Sequence, residues 1–374
     1  MSPNTNRQDS ASDAPKYPVV LFLVTVAAIV LLLLAVEAAV RIRHVIKYGS
    51  MTTIEELYTV DPRLNLRVPV AGYSSGHISI NSLGFRGPEI AMPKPPDTVR
   101  VAYLGASTTW CAEVSGNDYV WPHLVTASLR RAFPDVRFDY VNGGVPGYTI
   151  DSILKNLQYR VAPLHPDVIV IYEASNNLSG EMRELALKRG IIEDRNIEVN
   201  SWPSRYSLLW YLLEKNLRVL TAQRLAAKNQ GVLDVDTNTL GTEYRQVLTA
   251  LVRAAQSTAK LVAVATFSIQ PRREQPPEQQ LRASASALFY MPFVTPATII
   301  EAYGRYNRII REVARDTGAL LIEGEDDIPG DPAHFTDSVH FTDLGSKVMA
   351  ERISRSLISN PDFQQLLVHH VATR

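Results

Sequence analysis

Hydrophobic and polar positions divide the chain into two unlike parts. From Val19 to Val36 every residue is apolar except Thr25, with Leu31 to Leu34 in one run. At the helical rise such a stretch spans ~27 Å, enough for a bilayer core. Glu37 interrupts it, Ala38 to Val40 extend it, and Arg41, Arg43 and Lys47 mark an interface beyond. The pattern predicts one transmembrane helix over 19–40, preceded by a polar, disordered tail over 1–18. A buried helix of a soluble protein rarely runs this long without charge. The closer alternative is a cleaved signal peptide with Val36-Glu37-Ala38 as its site, but the run exceeds the usual h-region of about 7–15 residues. Arg7 and Lys16 stand before the helix and the three cations after it, so charge alone leaves its orientation open.

After a juxtamembrane segment and a Pro-rich linker, 41–98, the pattern alternates. Short apolar runs predict strands over 99–104, 138–141, 167–172, 261–267 and 319–322. Between and after them, apolar residues at helical spacing predict helices over 119–133, 149–159, 242–257, 299–316 and 344–358. Strands alternating with helices predict a mostly parallel sheet covered on both faces, spanning 99–358. Residues 178–241 and 268–298 break the rhythm and read as insertions over one end of the sheet. Within the first, Leu208, Leu209, Trp210, Leu212, Leu213 and Leu217 are too apolar for a free surface helix. They predict either a cover over the site or a face packed on the sheet. Residues 359–374 read as a tail.

Charge and cysteine content narrow the function. Thirty-eight Lys and Arg balance 38 Asp and Glu, which argues against a nucleic-acid binder held by a basic field. Cys111 is the only cysteine, so neither an intrachain disulfide nor a cysteine zinc site is available. With 46% hydrophobic residues the chain can bury a sizeable core.

Ligands of such sheets sit beyond the carboxyl ends of the strands. Three unusual loops fall there. After the first strand stands Gly105-Ala106-Ser107-Thr108-Thr109, where a serine behind a glycine can present its hydroxyl to solvent, although Gly and Ser also suit a plain capping turn. The loop is neither a Walker A sequence, a GxGxxG fingerprint nor a GxSxG elbow. After the second strand, Asn142-Gly143-Gly144 can aim an N–H at a ligand oxygen, or simply turn. After the third, Ala174-Ser175-Asn176-Asn177 offers amide donors suited to an oxyanion, or a helix cap. Near the end stands Asp337-Ser338-Val339-His340, in which the carboxylate can fix the imidazole tautomer and leave the other ring nitrogen to take a proton. The alternatives are a surface histidine or a metal pair with His334, for which the region supplies few further ligands.

Taken together and in order, these four blocks resemble the SGNH (GDSL-like) hydrolases over about residues 99–358. The resemblance implies a flavodoxin-like three-layer α/β/α fold. It implies Ser107 as nucleophile, Asp337 and His340 as its triad partners, and Gly144, Asn176 and the N–H of Ser107 as oxyanion donors. Ala106, Ala174 and Asn177 depart from the family's Asp, Gly and Asp, and none of these removes a group that touches reacting atoms. Asn81-Ser82-Leu83-Gly84-Phe85-Arg86-Gly87 is similar to the segment preceding the catalytic domain in membrane-anchored bacterial members, and Arg86 reads as a surface residue of a turn. The chemistry implied is acyl transfer through a serine ester, with neither metal nor organic cofactor. An esterase passes the acyl group to water and an O-acyltransferase passes it to a sugar hydroxyl, with the same residues. The implied substrate is an ester or an O-acylated carbohydrate such as a polysaccharide, met by a catalytic domain outside the cytoplasm. A non-catalytic carbohydrate-binding or scaffold protein of the same fold is the reading of another class, and the retained Ser107, Asp337 and His340 count against it.

Overall fold

In the computed structural model, which describes residues 17–48, 57–192, 201–227 and 233–372, helix α1 covers Tyr17–Tyr48 and extends the predicted 19–40 at both ends. Val19 to Leu34 are exposed, so this is no core helix; by length and composition Val19–Val45 suffices to cross a membrane. The expected polar tail up to position 16 lies outside the described residues, as do 49–56, 193–200, 228–232 and 373–374.

Part of the stretch read as a juxtamembrane segment and linker carries a small sheet. Strands β1 (Tyr58–Asp61) and β2 (Leu66–Pro69) form an antiparallel hairpin turning at Asn65, whose φ of 50° suits an asparagine. Arg86, read as a surface residue, is fully buried.

The next elements follow the alternation. They are β3 (Thr98–Gly105), α2 (Ser107–Trp110), α3 (Trp121–Ala132), β4 (Arg137–Asn142), α4 (Ile150–Asn156), β5 (Val168–Tyr172) and α5 (Ser175–Lys188). Then come α6 (Leu208–Ala227), α7 (Thr242–Gln256), β6 (Leu261–Ala265), α8 (Pro277–Ala283), α9 (Ala285–Tyr290), α10 (Pro296–Thr317), β7 (Leu320–Ile322), α11 (Asp343–Ile358) and α12 (Pro361–Ala372). Strands β3, β5 and β6 are buried along their whole length, which explains why each reads as an unbroken apolar run. Helix α10 shows the other period: Ile299, Ala302, Tyr303, Tyr306, Ile310 and Val313 face inward. The Thr295 side chain accepts the Thr298 N–H at its start, and Gly318 in the left-handed region closes it.

The five strands are parallel in the order β4-β3-β5-β6-β7. Counted from β3 this is the 2-1-3-4-5 order of flavodoxin-like sheets, with the switch point between β3 and β5. Helices α3, α11 and α12 pack with one another and on the sheet, and α4, α7 and α10 form the other such group, giving the three-layer α/β/α fold. One expectation changes. The C-terminal tail carries α12, whose Phe363, Leu366 and Leu367 are buried, with Phe363 stacked on Phe138. Helix α6, from the first insertion, has as its main neighbours α9, α8, α1 and the turn Trp202–Arg205.

Candidate active site

Ser107 opens α2 directly beyond β3, at the switch point. The sharp turn needs Gly105, because a Cβ there would overlap Thr109 Oγ1 and the Tyr172 carbonyl. Helix α2 is a single turn that ends at Cys111 with φ 60°. Its end is held by Arg86, whose guanidinium donates to the carbonyls of Trp110 (2.9 Å) and Cys111 (2.6 Å) and to Asn117 Oδ1 (2.9 Å). Removing this cation leaves those acceptors unpaired in the interior. Arg86→Leu is therefore expected to lower the unfolding free energy by about 3 kcal/mol, read by chemical denaturation beside the parent protein.

The loop Asp337–His340 brings its side chains to this serine. His340 Nε2 lies 2.8 Å from Ser107 Oγ, and His340 Nδ1 lies 2.8 Å from Asp337 Oδ2. The other oxygen of Asp337 accepts the backbone N–H groups of Val339 (3.0 Å) and His340 (2.9 Å). Ser338 anchors the loop: its N–H donates to Ser286 Oγ and its own Oγ accepts the Ala287 N–H. Partial burial pushes Asp337 up, but the charge and hydrogen bond of His340 and the two N–H donors outweigh it, so the carboxyl falls to about 2. Burial pulls His340 down, and the charges of Glu113 and Asp337 together with the Asp337 hydrogen bond carry it up to about 9.

The loops after β4 and β5 flank Ser107. Gly144 presses against α2: a Cβ would lie 2.5 Å from Trp110 N and 2.8 Å from the Thr109 carbonyl carbon. Its N–H donates to Asn142 Oδ1 at 3.0 Å, while Asn142 Nδ2 donates to the Thr109 carbonyl at 3.1 Å. Asn176, half-buried at the start of α5, donates through Nδ2 to the Tyr148 carbonyl at 2.9 Å. A primary amide has two N–H donors, so one remains beside that bond. Asn177 caps another element, its Oδ1 accepting the Ile150 N–H of α4.

The sequence passed over Glu113 and Glu173. Glu173 is buried behind Asn176, whose N–H it accepts at 2.8 Å, and burial pushes its carboxyl up to about 8. One oxygen of each carboxylate finds no hydrogen-bond partner among the described residues. Both influence His340 electrostatically. The burial of Glu173, and of one oxygen of the half-buried Glu113, is a tertiary property with no local sequence signal. His334, the alternative metal partner, is paired with Asp331 instead at 2.8 Å, and the described residues hold no group of three or more metal-ligating side chains.

The family model described as GDSL-like lipase/acylhydrolase matches residues 103–348. The chain belongs to that family. Ester hydrolysis is the reaction class that membership assigns to it. Among solved structures, the acetylxylan esterase Axe2 of Geobacillus stearothermophilus is similar at 15% identity and a TM-score of 0.42, over 71% of this chain and 95% of its own. LAE5, an α/β hydrolase from the metagenome of Lake Arreo, Spain, is similar at 19% identity and a TM-score of 0.40, over 69% and 94%. No curated protein matches the chain.

Proposed function

We propose that this GDSL-family member is a serine esterase in which Ser107, His340 and Asp337 form the triad. The observation that carries the reading is the pair of 2.8 Å contacts that His340 makes, one from each ring nitrogen. His340 Nε2 takes the Ser107 proton as Oγ attacks the ester carbonyl, and Asp337 steadies the imidazolium. Negative charge gathers on the carbonyl oxygen, where Gly144 N–H, the remaining N–H of Asn176 and the N–H of Ser107 meet it. Ser107 is the first residue of α2, so its N–H has no acceptor within the helix. The Gly144 N–H can share its Asn142 bond with the substrate oxygen as a three-centre bond. His340 then gives the proton to the leaving alcohol, a serine ester remains, and water deprotonated by His340 releases the acid.

The substrate class we propose is an O-acylated carbohydrate, the class the family resemblance implies. Purified full-length protein should cleave p-nitrophenyl acetate and release acetate from acetylated sugars; activity on the first alone would remove the carbohydrate from the reading. We propose further that α1 is retained as a membrane anchor, with the catalytic domain outside the cytoplasm. Its apolar length supports the anchor and the family resemblance supports the side. A C-terminal alkaline phosphatase fusion should be active and a fluorescent-protein fusion exported by the general secretory route dark; the reverse pair would place the domain in the cytoplasm.

Acting as a base, His340 must be neutral, so a raised imidazole shifts the working range upward. kcat/KM is expected to climb with pH toward a limb near 9. Glu113→Gln removes a negative charge that favours the imidazolium and should move that limb to lower pH, as a pH–rate profile of both proteins reads out.

A further inference from the structure

We propose that the outward face of α6 lies on the surface of the lipid bilayer beside α1, so that the domain is seated on the membrane as well as tethered to it. This rests on α1 being a membrane span. The place where α6 begins carries the argument. Glu37 of α1 accepts the N–H groups of Leu208 (3.0 Å) and Leu209 (2.9 Å) and the Ser207 hydroxyl (2.8 Å). Arg41, four residues on, bonds Glu37 and donates to the Tyr206 carbonyl at 2.8 Å. Val19 to Val36 covers ~27 Å of helix, so Glu37 stands where the hydrocarbon core ends. A carboxylate is costly inside lipid but well placed at that boundary with its donors satisfied. The start of α6 is pinned to the same level.

From there α6 presents a stripe that the described residues leave uncovered. Trp210, Leu213, Leu217 and Leu220 recur at three- and four-residue spacing on one face, and all are exposed, Leu217 at 63%. Trp202 and Tyr206, exposed at 72% and 69%, extend the patch toward α1. Aromatic side chains with leucines suit the headgroup–acyl boundary, and Lys215 and Arg224 add cations of the kind interfacial helices carry. The opposite side of α6 packs on α9, the helix whose Ser286 and Ala287 hold Ser338 between Asp337 and His340. Seating α6 on lipid therefore holds the catalytic loop one helix away from the headgroup layer.

The chain's own tryptophans test this. Trp110 and Trp121 are fully buried, so a quencher in lipid can reach only Trp202 and Trp210. Full-length protein would be reconstituted in phosphatidylcholine vesicles with plain or dibrominated acyl chains and recovered by flotation. Emission should fall in the brominated vesicles, and the W202F/W210F variant should lose that fall while keeping p-nitrophenyl acetate hydrolysis. Protein that floats with equal emission in both lipids, or a variant still quenched as the parent is, would overturn the proposal and leave the anchor standing. Protein that does not float would overturn the anchor and this inference with it. A dimer crosslinked through L217C without bromolipid quenching would give the stripe to a second copy and also overturn it.

Discussion

Replacing Ser107 by alanine is expected to lower kcat on p-nitrophenyl acetate by on the order of 10⁶-fold, the scale at which removing a serine nucleophile abolishes the covalent route. The proposed oxyanion donors remain, so a small residual rate above water should persist. The fold should not change. Ser107 is half-buried and, among the described residues, its hydroxyl bonds His340 Nε2 alone, so alanine leaves no other described acceptor unpaired. Circular dichroism and melting should match the parent protein. Turnover retained within tenfold would move the nucleophile to another residue.

The second large effect is expected at Asn176. Asn176→Ala removes the amide donor proposed to meet the developing charge and should reduce kcat by roughly 100–1,000-fold with a modest change in KM. The backbone of α5 keeps its start, because the Asn176 N–H to Glu173 is untouched by the side-chain change. A loss confined to KM would make Asn176 a substrate-binding group that does not act on the transition state. The lost bond to the Tyr148 carbonyl is a structural cost of about 1 kcal/mol, which denaturation would report separately from the kinetics.

What could be read from the chain follows from what is local. The strands β3, β5 and β6 were legible because a strand buried on both faces must be apolar throughout, and their loops inherit a known place at the sheet's edge. Ser107, singled out from the loop after β3, and His340, from the segment before α11, are 233 positions apart and lie in hydrogen-bond contact. Arg86 was misread because its turn-like neighbours say nothing about which carbonyls lie beyond it; the acceptors at Trp110 and Cys111 appear only when the segment folds over the end of α2. Glu113 and Glu173 were invisible for the same reason, since nothing local marks a carboxylate for a place beside His340. The α6 segment was recognised as too apolar for a free surface. Its partner was not, because the contact joins Glu37 to Leu208 across 171 positions and depends on a carboxylate that looked like a flaw in the apolar run. The C-terminal helix α12 was missed although its start carries a signal, Asn360-Pro361-Asp362, with Asn360 Oδ1 accepting the Phe363 N–H at 2.9 Å.

Trapping the covalent enzyme tests the central claim most directly. Full-length protein treated with a fluorophosphonate would be digested and the adduct placed by peptide mass mapping. The account predicts one adduct, on Ser107, formed more slowly as the pH falls and His340 is protonated, and absent from Ser107→Ala. An adduct on another serine, persisting in Ser107→Ala with turnover intact, would contradict it.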